Sequence, residues 1–99
     1  MIKIVNGANI QGLDICMRDA MKVLGKVYVK YGQDLTITCG LNGEHSAGSW
    51  HYYGRAVDTR IHFWDDFVVE EVYEVLKKKL PSQYRIFNEG THFHIDCPL

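Results

Sequence analysis

His92-Phe93-His94-Ile95-Asp96-Cys97 alternates polar and apolar residues along its whole length. Alternate side chains of a strand share a face, so Phe93, Ile95 and Cys97 point one way and His92, His94 and Asp96 the other. The apolar set seeks a core. The other set is two imidazoles and a carboxylate on one side of a sheet.

Working back from this strand, residues 84–87 read as its neighbour. Before them, a helix is expected from near Asp65 to Pro81: Asp66, Glu70 and Glu71 suit the positive end of its dipole, and Lys77, Lys78 and Lys79 the negative end. That placement accounts for the lysine run without a nucleic-acid patch. Residues 56–63 read as a strand, and residues 40–54, rich in Gly, Ser, Asn and His, as a long loop of the kind that carries function. Leu35-Thr36-Ile37-Thr38-Cys39 has the β-branched content of a strand. Leu13, Met17, Met21, Leu24, Val27 or Tyr28, and Tyr31 recur at helical spacing up to Gly32, a natural residue past a helix end. Gly25 and the alternation Val27-Tyr28-Val29 leave the second half of that segment open to a strand reading. Ile2-Lys3-Ile4-Val5 alternates weakly and stops at the turn signal Asn6-Gly7. The pattern predicts one α+β domain over residues 1–99, a small antiparallel sheet with two main helices.

Composition excludes several classes. Apolar residues make up 46% and charged residues 23%, so neither a disordered chain nor a coiled coil is expected. A net charge of −1 offers no electrostatic attraction to nucleic acid or to an anionic membrane. The N-terminus lacks the apolar run of about 7–15 residues that marks a signal peptide, and no stretch approaches the ~20 apolar residues of a membrane span. Synthesis in the cytoplasm is therefore expected. Cys16, Cys39 and Cys97 show no C-x-x-C spacing and read as free thiols rather than a zinc ribbon or a disulfide framework.

Five histidines are the compositional outlier. His51 and Asp58 flank Gly54 and converge if the chain turns there. Two histidines and a carboxylate, with an open fourth position for water, form a common catalytic zinc geometry. A metal in such a site lowers the pKa of water toward 7 and polarises a carbonyl, and a carboxylate such as Glu89 can accept the proton. The competing reading is a polar strand face whose histidines only form hydrogen bonds.

Spacing adds to this. Ser49, His51, Gly54, Ala56 and Asp58 match S-x-H-x-x-G-x-A-x-D, and Glu89, His92 and His94 match E-x-x-H-x-H. Together they resemble the zinc peptidases that cut bacterial cell-wall peptides, namely D-Ala-D-Ala carboxypeptidases, D-Ala-D-Ala dipeptidases and L-Ala-D-Glu endopeptidases, whose fold the hedgehog signalling domain shares. The likeness runs from about Leu35 to Asp96. It implies that His51, Asp58 and His94 hold zinc, that His92 stabilises charge on the substrate carbonyl, and that Glu89 is the general base and acid. It also implies a peptidoglycan stem-peptide substrate. The small size looks like a phage endolysin catalytic domain, acting as a monomer on the wall after release from the cytoplasm. A zinc-stabilised binding module on the same fold is the alternative, and an amidase on the same scaffold a third reading.

The chain departs from that pattern in two places. Many relatives carry the acid three residues before the ligating histidine, where this chain has Thr91; Glu89 lies five before His94. Many also carry an arginine after the strand equivalent to Leu35–Cys39, where this chain offers only His45, which either replaces it or is an exposed loop residue. Arg60 and His62 share the Asp58 face and either line the cleft or are simply half-exposed. Asp96 either orients a ligand imidazole or pairs with Arg60. Trp50, Tyr52 and Tyr53 either pack the loop or wall a substrate groove, and Ser49 orders the loop. Arg55, Arg60 and Arg85 are the arginines available to hold a substrate carboxylate.

Overall fold

Five strands and two helices follow one another in the computed structural model, which describes residues 2–5, 12–39 and 54–98. The order is β1 (Ile2–Ile4), α1 (Ile15–Lys30), β2 (Leu35–Cys39), β3 (Ala56–Arg60), α2 (Asp66–Lys79), β4 (Arg85–Asn88) and β5 (His92–Asp96). The sheet order is β1-β2-β3-β5-β4. The α+β class and the two helices agree with the sequence reading. The sheet is mixed rather than wholly antiparallel, because β1 runs parallel to β2. A parallel pair needs a crossover, and α1 supplies it.

Helix α1 is continuous through Val27, Tyr28 and Val29, which closes the strand alternative for that half. Its start is capped by Asp14, whose carboxylate accepts from the Cys16 N–H at 3.0 Å. Its end is a Schellman motif: Gln33 N–H bonds the Tyr28 carbonyl, Gly32 N–H bonds the Val29 carbonyl, and Gly32 takes φ +80°. Asp65 caps α2 by accepting from Val68 N–H at 2.9 Å, and Lys77, Lys78 and Lys79 occupy its last turn as the dipole argument expects. No helix among the described residues is long and apolar enough to cross a membrane.

Both helices contribute to one core. Met17, Leu24 and Tyr28 from α1 meet Val72 and Leu76 from α2, over Leu35, Ile37, Val57, Phe93 and Ile95 of the sheet, all fully buried. Burying a side chain of this size stabilises by roughly 1.5–3 kcal/mol. The alternation read in His92–Asp96 therefore holds: Phe93 and Ile95 lie in the core. The Tyr28 hydroxyl donates to the Arg60 carbonyl at 2.9 Å, and with its one proton committed it accepts from Thr59 Oγ1 at 2.8 Å. This bond meets β3 at its end. The strand stops at Arg60, short of residue 63, and His62 sits in an exposed turn rather than on the Asp58 face. No disulfide links Cys16, Cys39 and Cys97, as expected.

Gly25 lies inside α1 with room for a methyl group, the nearest atom to an added Cβ being Ile2 Cγ1 at 3.7 Å. Gly25→Ala is expected to stabilise the domain by about 0.5–1 kcal/mol through reduced backbone entropy. Thermal unfolding checks this as a rise of several degrees in Tm.

Candidate metal centre

The sheet face turned away from the helices carries the polar half of the alternation. In the β3–β5 register Asp58 stands directly opposite His94, Arg60 opposite His92, and Ala56 opposite Asp96. Directly opposed residues share a face, so Asp58 joins the two histidines because of register rather than sequence proximity. Asp58 Oδ1 lies 3.2 Å from His94 Nδ1, and Asp58 Oδ2 lies 3.8 Å from His92 Nε2. One carboxylate thus faces both imidazoles.

His94 uses both ring nitrogens. Its Nδ1 meets Asp58 and its Nε2 meets Asp96 Oδ2 at 2.9 Å. Asp96 is buried, with 2% of its side chain exposed, and Arg85 grips it with two hydrogen bonds of 2.8 Å, Nε to Oδ1 and Nη2 to Oδ2. Of the two expectations for Asp96, the pairing with Arg60 is replaced by one with Arg85, and Asp96 also hydrogen-bonds the His94 imidazole. Arg85 faces Asp96 across the β4–β5 pair, and Phe87 likewise faces His94, with ring centroids 5.9 Å apart. Phe87 did not stand out as a site residue, and Arg85, read as an arginine available for a substrate carboxylate, instead holds Asp96. Their alternation with the half-buried Ile86 was the available signal, but it needed the hairpin register to become specific.

Burial works against a charged His94, yet its hydrogen bonds to Asp58 and Asp96 outweigh that and hold its pKa above the usual imidazole range. Burial likewise works against ionised Asp96, and Arg85 and then His94 overcome it, lowering its pKa. In metal-free protein, stability owed to His94 is complete below the unfolded pKa near 6.5 and is lost as pH rises through the raised folded value. Stability owed to Asp96 is present above its unfolded pKa and is lost as pH falls through the lowered folded value. Chelator-treated protein is therefore expected to melt at lower temperature near pH 8 than near pH 6. A His94→Gln variant should show a smaller decline in Tm between those pH values.

Two donors about 2.0–2.1 Å from a tetrahedral zinc stand about 3.3 Å apart; the hydrogen-bonded Asp58–His94 pair, at 3.2 Å, is compatible with that spacing, which is also an ordinary hydrogen-bond distance. Asp96 meets Nε2, so Nδ1 is the His94 nitrogen that faces Asp58. No group of three metal-binding side chains comes together among the described residues. The third expected ligand, His51, lies outside them, as do Ser49, Trp50, Tyr53 and the proposed substrate residues His45 and Tyr52.

No family model, curated protein or solved structure matches the chain. The remaining site residues are therefore judged by position. Glu89 lies in the β4–β5 turn, where its N–H donates to the His92 carbonyl at 3.0 Å and Gly90 takes φ +88°. Its carboxylate is exposed and makes no hydrogen bond among the described residues. His92 is half-buried, with Nδ1 2.8 Å from Thr91 Oγ1. Arg55 bonds the Cys97 carbonyl and pairs with Asp14, so two of the three candidate arginines are already engaged. Arg60 lines an open groove of about 550 Å³ with Lys3, Asp34 and Thr36.

Two of the thiols, Cys16 and Cys39, are held in their protonated form. Burial, reinforced by hydrogen bonds to Asp14 and Cys97, pushes the Cys16 pKa up to about 12. Burial and then the Asp58 charge raise that of Cys39. Neither is a thiolate near neutral pH.

Proposed function

We propose that this chain is a zinc-dependent peptidase that hydrolyses peptide bonds in bacterial cell-wall stem peptides, of the carboxypeptidase or endopeptidase type found in phage lysis. The observation that carries the reading is the juxtaposition of Asp58 with His94, with His92 beside them on one sheet face. It supports the likeness of S-x-H-x-x-G-x-A-x-D and E-x-x-H-x-H to the cell-wall zinc peptidases. Asp58 Oδ1, His94 Nδ1 and His51 hold the metal. Zinc bound there supplies Lewis acidity and a water that ionises near neutral pH.

The chain's own groups do the rest. His92, whose Nε2 lies 3.8 Å from Asp58 Oδ2, stabilises negative charge developing on the scissile carbonyl oxygen. Glu89 accepts the proton of the attacking water and returns it to the leaving amine. Arg60, opposite His92 on the neighbouring strand, binds a carboxylate of the stem peptide in the groove it lines, and His45 and Tyr52, outside the described residues, are the further substrate-binding candidates.

The test is digestion of purified peptidoglycan with zinc-loaded wild type, Glu89→Ala and His51→Ala, read as new amino termini and free D-Ala. Wild type should release product, Glu89→Ala should bind zinc without turnover, and His51→Ala should fail at both. A wild-type protein that binds zinc and releases nothing overturns the enzyme reading. That result favours a zinc-stabilised binding module, for which the exposed Glu89 carboxylate, without a hydrogen bond among the described residues, is the supporting observation.

A further inference from the structure

The edge strand β4 supplies no metal ligand, yet two of its side chains converge on His94. Phe87 lies directly across from His94 and packs against its ring. The Arg85 guanidinium lies 5.4 Å from the Phe87 ring centroid and grips both oxygens of Asp96. Asp96 in turn meets His94 Nε2 at 2.9 Å. The arrangement closes on itself: Arg85 to Asp96 to His94, and Arg85 over Phe87 against His94.

From this geometry we infer that Arg85 and Asp96 are positioning residues that lock the His94 imidazole with Nε2 turned inward, so that only Nδ1 faces Asp58 and the metal. The inference rests on the zinc reading of that face and extends it to residues not assigned there. Its physics is general. A ligating imidazole binds best when its second nitrogen donates to a carboxylate, which fixes ring rotation and raises the basicity of the ligating nitrogen. A carboxylate so buried needs a partner of its own, and a two-pronged guanidinium is the geometry that fixes both of its oxygens. Lysine is a point charge and fixes only the charge, not the plane. Without Arg85, Asp96 can rotate about its last bond, and the His94 ring rotates with it.

The experiment uses the full chain as wild type, Asp96→Asn, Arg85→Gln and Arg85→Lys. Zinc affinity is measured by competition with a chromogenic chelator. The His94 ring protons are observed by nitrogen-15 NMR on metal-free protein at fixed pH. Arg85 is half-exposed on an edge strand, with 50% of its side chain accessible, so its replacements are expected to fold; circular dichroism checks each variant. Zinc affinity should fall about 10–100-fold in Asp96→Asn, by a smaller factor in Arg85→Gln, and by least in Arg85→Lys. Wild type should show a slowly exchanging His94 Nε2–H that is lost in Asp96→Asn and broadened in Arg85→Gln.

Folded variants that bind zinc as tightly as wild type and keep that proton overturn the inference. If wild type itself binds no zinc, the metal reading fails, and the ring NMR alone then decides the clamp: an Nε2–H indifferent to Asp96 and Arg85 sinks it. If Asp96→Asn does not fold, the two Arg85 variants carry the same test.

Discussion

Asp58→Asn protein is expected to bind zinc at least 100-fold more weakly than wild type and to release no new amino termini from peptidoglycan. Asparagine has nearly the same shape, and its side-chain oxygen can still accept from His94, so the β3–β5 face should keep its form. What it lacks is charge. Among the described residues Asp58 is the carboxylate that faces both His94 and His92, at 3.2 and 3.8 Å, and a neutral amide oxygen is a far poorer ligand for a divalent cation. Losing a partner that only orients a ligand typically costs about 10–100-fold in affinity, so losing a direct ligand should cost more. Isothermal titration with zinc, alongside a thermal melt in chelator, separates this from misfolding. Asparagine protein that folds, binds zinc normally and digests peptidoglycan would remove Asp58 from the metal site.

Gly54→Ala is expected to destabilise the domain by about 3 kcal/mol or more, combining the cost of a left-handed non-glycine residue with that of overpacking. Gly54 has φ +69°, and a Cβ there would lie 2.6 Å from the Gly12 carbonyl oxygen and 3.3 Å from Leu13 Cα. The contact is backbone against backbone, so no side chain can yield. Its own carbonyl accepts the Asp14 N–H at 2.8 Å, joining the start of α1 to the start of β3. The next residue, Arg55, reinforces that junction through Asp14 and the Cys97 carbonyl. Urea unfolding should show a lower midpoint. An unchanged midpoint would mean that the junction can open without cost.

Much of the fold was legible because its signals are local. Asp65, the Lys77–Lys78–Lys79 run and Gly32 act within one helix turn, and the His92–Asp96 alternation sorts its own side chains. What failed to read was pairing. Alternation assigns Asp58 and His94 to faces, but only register puts them opposite one another. The same limit made Arg60 a candidate partner for Asp96, whereas Arg60 pairs opposite His92 and Arg85 opposite Asp96. Strand direction is equally invisible in a short run such as Ile2–Ile4, so the parallel pairing of β1 with β2 could not be foreseen. The register shift between Ile37 and Cys39, which brings Cys39 opposite Asp58, has no marker in the alternation of β2. Length misled once: residues 61–63 continue an apolar pattern, but Tyr28 takes the Arg60 carbonyl and the chain turns away.

The sheet order has a consequence for biosynthesis. Among the described strands β5 is made after β3 and β4, yet it lies between them, and those two do not pair with each other. While a ribosome is still adding the residues before His92, β3 presents an unsatisfied edge and β4 has nothing to join. Such edges invite pairing with other chains. The domain cannot form its sheet piece by piece from the N-terminus, and the strand that completes it is also the one that brings His92 and His94. Assembly of the candidate site and closure of the fold are a single event.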